Sequence, residues 1–170
     1  NGLTELTRDL RSSSLLDYNP DYITYPVNLL SATFDKIFFS DHFGLVANFS
    51  AHKHVRSEKD KISVEALIMN NVYGAIKLLN LCTKRPPNYF FSVSTDKAAN
   101  PVNVMGASKS LMEKLILSKK NEFRVSTARF ANVAFSNGSL LDGFIYRLQK
   151  QQPLSCPSDI KRFFVSPEQS

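Results

Sequence analysis

The sequence predicts an α/β protein, a doubly wound parallel sheet with helices on both faces. Three observations carry that expectation. Short β-prone apolar runs alternate with stretches whose apolar residues recur every three or four positions, the order of a chain that crosses back over a sheet after each strand. The clearest helical stretch, Val64 to Cys82, sets Val64, Leu67, Ile68, Val72, Ala75, Leu78, Leu79 and Cys82 on one face. Finally, the run FSVSTDKAANPVNVMGASK, Phe91 to Lys109, passes from a strand into the polar triplet Thr95-Asp96-Lys97 and restarts after Asn100-Pro101 with helical spacing. That order puts a hydroxyl, a carboxyl and an ammonium at the carboxyl end of a strand, the edge where open α/β sheets bind ligands.

Taken in order, Thr4 to Arg11 has the helical pattern Leu3, Leu6, Leu10, and Ser12-Ser13-Ser14 closes it. Asp17-Tyr18-Asn19-Pro20 is turn chemistry. Ile23-Thr24-Tyr25-Pro26-Val27 reads as a strand, and its proline, which has no N–H for a ladder, fits near a sheet edge. Ala32 to Asp41 is a short helix, and Leu45 to Phe49 the next strand, ending in Ser50-Ala51-His52-Lys53-His54-Val55. The two histidines have no third ligand in sight, so no metal is expected. Small Ser50 and Ala51 let backbone approach a ligand instead.

In the long helix Asn71 falls on the apolar face, an expensive place for an amide unless it is hydrogen-bonded. Lys84-Arg85-Pro86-Pro87 ends that helix. The helix from Val104 to about Ser118 carries Met105, Ser108, Met112 and Ile116 on one side with Lys109 beside them. Val125 to Phe130 is a strand leading to Ala131-Asn132-Val133, and Ser136-Asn137-Gly138-Ser139 opens a helix from Leu141 to Gln151. Unpaired N–H groups and the helix dipole make that opening suited to an anion.

At 170 residues the length suits one domain, and 43% hydrophobic with 21% charged residues describes a soluble globular protein. The formal charge of +6 is spread out, with only the short clusters Lys119-Lys120 and Lys161-Arg162. Solvated surface or a small anionic ligand accounts for it better than nucleic acid, which needs a basic stripe interleaved with aromatics. Cys82 and Cys156 form neither a disulfide framework nor a metal knuckle, which points to a reducing, intracellular setting. No apolar run approaches the ~18 residues of a membrane span, and no signal peptide is visible. The chain opens Asn1-Gly2 without Met and stops at Gln169-Ser170 in what reads as the first turn of a helix, so both ends read as cut.

The set Thr95-Asp96-Lys97, Asn100-Pro101, Met105 and Lys109 resembles the active-site segment of the extended short-chain dehydrogenase/reductases. It is most similar to the CapD-like nucleotide-sugar 4,6-dehydratases and epimerases of polysaccharide biosynthesis, and the likeness runs from about Asp21 to the end. The resemblance implies a Rossmann-like sheet, with residues 1–152 a partial NAD-binding domain and 153–170 the start of the substrate-binding region. It further implies NAD as cofactor, NADP being left open, a UDP-N-acetylhexosamine as substrate, a cytoplasmic setting and a homo-oligomer. Within it Thr95 would hydrogen-bond the sugar 4-oxygen, Asp96 protonate the leaving 6-hydroxyl, Lys97 take the C5 proton and Lys109 hold the nicotinamide ribose. Ser50, Ala51 and Lys53 match the turn beside the cofactor and near the sugar. Asn71, in Asn71-Val72-Tyr73-Gly74, would support the active site, Asn132 with Ser136, Asn137, Gly138 and Ser139 would hold the sugar diphosphate, and Arg162 would meet the nucleotide.

Departures from the pattern are informative. Met105 stands where most short-chain dehydrogenases carry a tyrosine, and a thioether has no ionisable proton. Among relatives this Met marks a dehydratase subgroup in which the Asp assumes proton transfer. Ala131 replaces a glycine, and Asn28-Leu29-Leu30-Ser31 replaces an Asp-x-x-Asp turn at the adenine. The six glycines contain no Gly-x-x-Gly-x-x-Gly turn, so strands one and two and that turn are expected to be absent from this stretch. The sheet would then be split, and the stretch alone would bind NAD poorly or not at all. Two alternatives to the dehydratase stay open: a C4 or C5 epimerase, and a non-catalytic nucleotide-sugar binder.

Overall fold

The computed structural model describes residues 2–12, 23–53, 58–156, 158–159 and 161–170. Ser13, Ser14, the Asp17 to Pro20 turn, His54 and Val55 lie outside the described residues. The chain divides into two compact units, Asn1–Asp41 and His42–Ser170.

The first unit holds α1, Gly2–Ser12, and α2, Ala32–Ser40. Ser31 caps α2 by accepting the Phe34 N–H at 3.3 Å, and Phe38 is buried edge-on to Phe39. The strand expected at Ile23 to Val27 is not formed: the segment is irregular. A strand is held by ladder partners, whereas here Pro26 offers no N–H and the Val27 N–H turns back to the Tyr25 carbonyl at 2.8 Å.

The second unit is built on a three-stranded parallel sheet in the order β1-β2-β3: Leu45–Asn48, Tyr89–Thr95 and Arg124–Phe130. Leu45 lies opposite Tyr89, and Tyr89 opposite Arg124, so the three strands end at one edge. Parallel neighbours require long crossovers, and helices supply them. Between β1 and β2 run α3, Lys61–Ile68, a π-helical turn, Met69–Tyr73, and α4, Gly74–Lys84; between β2 and β3 runs α5, Val104–Ser118. A ten-residue helix α6, Leu140–Gln149, follows β3.

Strand β2 alternates as the pleat demands, with Phe90, Ser92 and Ser94 buried under the helices. Phe90 meets Phe123, and the Ser92 hydroxyl lies on the Met112 sulfur of α5. Leu67, Ala75, Leu79, Cys82, Met112 and Ile116 complete that core. Burial of Cys82 pushes its thiol pKa up to about 12. On β1, an edge strand of this sheet, Leu45 is exposed, as is Phe49 just beyond its end.

The helix expected over Val64 to Cys82 lies within one helical run, Lys61–Lys84, that contains a π-turn. It lets the Gly74 N–H reach the Met69 carbonyl five residues back. Asn71 and Val72, both within this turn, are buried. The whole run, Lys61–Lys84, reaches a mean hydropathy of 1.2 over 18 residues, long and apolar enough to cross a membrane, but its apolar face packs inside this unit.

Candidate active site

The carboxyl ends of β1, β2 and β3 release three loops side by side, and the site is built from them. Strand β2 ends at Thr95, still extended at φ −138°, and the chain then tightens into a 3-10 turn, Asp96–Ala98. The Thr95 hydroxyl accepts the Lys97 N–H at 3.4 Å and donates to Asp96 Oδ1 at 2.9 Å. Lys97 Nζ donates to the same Asp96 Oδ1 at 3.0 Å and to Asn132 Oδ1, beyond β3, at 3.3 Å. Hydroxyl, carboxylate, ammonium and amide are thus joined in one cluster that spans two strand ends. It stays open to solvent, the Lys97 and Asp96 side chains being 38% and 47% exposed. Partial burial works to raise the Asp96 pKa, but the hydrogen bonds from Lys97 and Thr95 together outweigh it and hold the carboxyl below its ordinary value.

Helix α5 carries the next two candidates. Asn103 caps it by accepting the Gly106 N–H at 2.8 Å. Gly106 is needed for packing: a Cβ there would stand 2.7 Å from the Lys97 carbonyl oxygen. The first turn of α5 is therefore pressed against the backbone of the catalytic candidate. Met105 is buried in that turn, with its N–H on Glu58 Oε1 at 2.7 Å. Lys109, only 4% exposed, donates from Nζ to the Val93 carbonyl of β2 at 3.1 Å. Burial pushes its pKa down, against an upward pull from the Glu113 carboxylate. Glu113 in turn is gripped by Arg129 of β3, Nε to Oε1 at 3.0 Å and Nη2 to Oε2 at 2.7 Å.

Asn71, 1% exposed on the π-turn, meets the requirement its burial sets. Its Oδ1 accepts the His52 N–H at 2.8 Å, and its Nδ2 donates to the His52 carbonyl and to the Ser108 hydroxyl, each at 3.1 Å. Ser108 passes the connection to the Met105 carbonyl at 2.7 Å. The loop after β1 is also tied by Ser50, whose N–H and hydroxyl bond Asn48 Oδ1 at 3.1 and 2.7 Å, while Ala51 is exposed. Lys53 reaches across to the Asn137 carbonyl at 2.7 Å, joining the loop after β1 to the loop after β3.

Beyond β3 the Ser136 hydroxyl returns to the Val133 carbonyl, and Gly138 adopts φ 72°, which glycine takes freely. Phe135 adopts φ 58° without that freedom and is exposed. The opening of α6 already holds an anion. Ser139 accepts the Asp142 N–H, and Asp142 Oδ2 accepts the Gly138 N–H at 2.9 Å. The segment with Arg162, itself exposed, runs beside the cluster: the Asn132 amide donates to the Phe163 carbonyl at 3.2 Å, and Val133 bridges Val165.

The structure therefore gathers Thr95, Asp96, Lys97 and Asn132 in direct contact, with Met105 set by Glu58 and Ser108. It brings Lys53 to Asn137, and it sets Lys109 beneath β2. Sequence reasoning missed Glu58, Gly106 and the Glu113–Arg129 pair. Only Gly106 left a signal, a glycine inside the first turn of an otherwise ordinary helix.

Residues 30–170 match the family described as polysaccharide biosynthesis protein. The UDP-glucose 4-epimerase of Rickettsia canadensis is 38% identical over 105 residues, 58% of this chain and 31% of that protein. The capsular polysaccharide biosynthesis protein CapD of Staphylococcus aureus is 32% identical over 131 residues, 74% of this chain and 21% of that protein. For the UDP-N-acetylglucosamine 4,6-dehydratase (inverting) of Campylobacter jejuni the identity is 33% over 109 residues, 59% of this chain and 32% of that protein. The matches thus span a third or less of these relatives. Among solved structures, Pen from Bacillus thuringiensis superimposes with a TM-score of 0.78 at 22% identity, covering 98% of this chain and 50% of that one. The UDP-glucuronic acid 4-epimerase of Bacillus cereus, in complex with UDP-glucuronic acid and NAD, gives 0.74 at 17%, covering 96% and 55%. With the parallel sheet, the helical crossovers and this match over most of its length, the chain belongs to the polysaccharide biosynthesis protein family, a branch of the extended short-chain dehydrogenase/reductases.

Proposed function

We propose that this chain carries the reacting edge of a nucleotide-sugar dehydratase that converts a UDP-N-acetylhexosamine into its 4-keto-6-deoxy derivative for surface polysaccharide synthesis. The observation that carries the reading is the hydrogen-bonded cluster of Thr95, Asp96, Lys97 and Asn132 at the strand ends, beside an α5 that offers Met105 in place of an ionisable group. The Campylobacter jejuni and Staphylococcus aureus relatives support the choice of reaction and pathway class.

A dinucleotide fits the open end of β1, where Ala51 is exposed and Ser50 is small, so backbone is reachable from solvent. Ser50, Ala51 and Lys53 would hold it there, with Asn71 fixing the His52 backbone and Lys109 turning from Val93 to the ribose. Bound NAD, or NADP, would supply reversible hydride acceptance at the sugar carbons.

The protein's own groups handle protons. Asp96, held ionised, takes the 4-hydroxyl proton while Thr95 hydrogen-bonds that oxygen. The 4-ketone acidifies the C5 hydrogen, which Lys97 accepts once its ammonium has passed a proton to the solvent it is open to. Asp96 returns its proton to the departing 6-hydroxyl, and water leaves; Lys97 gives a proton back to C5. One carboxyl thus serves first as base and then as acid, so no tyrosine is required at Met105. Asn132, Ser136, Asn137, Gly138, Ser139 and Arg162 would hold the diphosphate and nucleotide. For that, the Asp142 carboxylate must first leave the Gly138 N–H, because like charges repel.

The test is an NMR assay of the full-length protein with NAD and UDP-N-acetylglucosamine in deuterated water. A new 6-deoxy methyl signal with deuterium at C5, lost in Lys97→Ala and Asp96→Asn, is the expected result. An epimer that keeps its 6-oxygen would replace the dehydratase by an epimerase. Binding without turnover would leave a nucleotide-sugar-binding protein.

A further inference from the structure

We infer that Glu58 is a positioning residue for this site, acting as the hydrogen-bond acceptor that fixes the first turn of α5 against Lys97. The inference rests on the proposed dehydratase for its catalytic consequence, but its physical core is independent of it. The first N–H groups of a helix have no partner within the helix. In α5 two of them are satisfied from different places: Gly106 by the local cap Asn103 at 2.8 Å, and Met105 by Glu58, 47 positions earlier in the chain, at 2.7 Å. A carboxylate suits that end of a helix because the dipole and the exposed N–H groups both favour it.

Both backbone groups of Met105 are then engaged, since its carbonyl accepts the Ser108 hydroxyl that Asn71 also bonds. Asn71 and Glu58 thus form two grips on one turn, and Asn71 holds the loop after β1 in the same way through His52. The turn they grip is the one whose Gly106 approaches the Lys97 carbonyl so closely that no side chain fits between. Any shift of the turn is therefore felt at Lys97, and through it at Asp96 and Asn132. Glu58 touches none of those reactive groups; it acts through Met105 and Gly106.

The role calls for an acceptor oxygen, not for charge, and this separates it from proton transfer. Glu58→Gln keeps a carbonyl oxygen at the same reach, whereas Glu58→Ala removes it. We expect Glu58→Ala to lower kcat by roughly tenfold or more with KM little changed, as small misplacements of catalytic groups do. Glu58→Gln should restore turnover to within about threefold of the parent, a conservative rescue of the kind expected where one hydrogen-bond acceptor replaces another. Hydrogen exchange at the Met105 amide, read by NMR, should speed up in Glu58→Ala and stay slow in Glu58→Gln. Unaltered turnover in Glu58→Ala would overturn the proposal, and so would a Glu58→Gln variant as slow as Glu58→Ala, which would make the charge the working part. If the full-length parent itself turns nothing over, the dehydratase reading fails, and the exchange measurement alone decides: unchanged protection at Met105 in Glu58→Ala overturns the clamp, lost protection upholds it.

Discussion

Two polar regions of the second unit are built on opposite plans. Around Asn71, Ser108 and Lys109 the polar groups are buried, and each has a defined partner: the His52 backbone, the Met105 carbonyl, the Val93 carbonyl. Around Asp96 and Lys97 they are exposed and share one another, with a single Asp96 oxygen accepting from both Thr95 and Lys97. Buried polar groups must be satisfied or the fold suffers, so the first region is fixed. Exposed ion pairs contribute little stability, so the second can exchange its partners for a substrate at small cost. The first region is the frame, and the second is the part free to react.

The sharpest way to break the comparison is to disable each region and ask which property is lost. In the exposed cluster, Lys97→Ala or Asp96→Asn should lower turnover of the full-length protein by about 10²–10⁴-fold, the usual worth of a positioned acid or base. The same variants should move the urea unfolding free energy by no more than ~0.5 kcal/mol, as surface substitutions do. A large loss of stability there would mean that the cluster is structural.

The buried frame should behave in reverse. Asn71→Ala strands the His52 N–H and carbonyl and frees the Ser108 hydroxyl, and we expect it to cost about 2–3 kcal/mol in the urea midpoint measured at constant slope. Asn71→Asp should recover only part of that, because a carboxylate accepts from His52 N–H but cannot donate to the His52 carbonyl or to Ser108.

That contrast also marks what the sequence could disclose. A strand that runs into Thr95-Asp96-Lys97 and a helix from Val104 to Ser118 were legible because hydrophobic period and polar break fall where the structure has them. The buried Asn71 announced its need for partners by its place on an apolar face, though not that the partners would be His52 and Ser108. The π-turn was not legible, since apolar residues spaced by three and four satisfy either helix until one extra residue is inserted. Ile23 to Val27 has strand composition but lacks the ladder partners that make composition into structure. Glu58 and the Glu113–Arg129 pair join residues 47 and 16 positions apart, and a charged side chain carries no local mark of so distant a partner. Asp142 sits in the first turn of α6, so the anion already present at that helix could have been foreseen from its own sequence.

Gly106 lies where the two regions touch, and a small change there should trouble both. In Gly106→Ala the new Cβ would stand 2.7 Å from the Lys97 carbonyl oxygen, a backbone atom with nowhere to yield. We expect a cost of about 1–3 kcal/mol, the range for overpacking. A fall in kcat beyond what Glu58→Ala produces should accompany it. A stable, fully active Gly106→Ala would show that α5 is free to slide, and would dissolve the division into frame and reacting edge.

The smallest effect we expect concerns acid, and it sharpens where the frame ends. Glu113 is buried, its side chain 7% exposed, while its partner Arg129 is 47% exposed. The Arg129 hydrogen bonds lower the Glu113 pKa more than burial raises it, so its folded value lies below its unfolded value. A carboxyl with a depressed folded pKa contributes stability that is fully present above the unfolded value, ~4.3 for Glu. That contribution is lost as pH falls through the folded pKa, because the folded chain must then take up a proton at the expense of the Arg129 pairing. Urea midpoints measured from pH 7 down to pH 3 should therefore fall more steeply for the parent chain than for Glu113→Gln, with the two curves parallel above about pH 5. Parallel curves throughout would place Glu113 with the exposed ion pairs, whose protonation the fold hardly feels, and would move the boundary of the frame inward to Lys109.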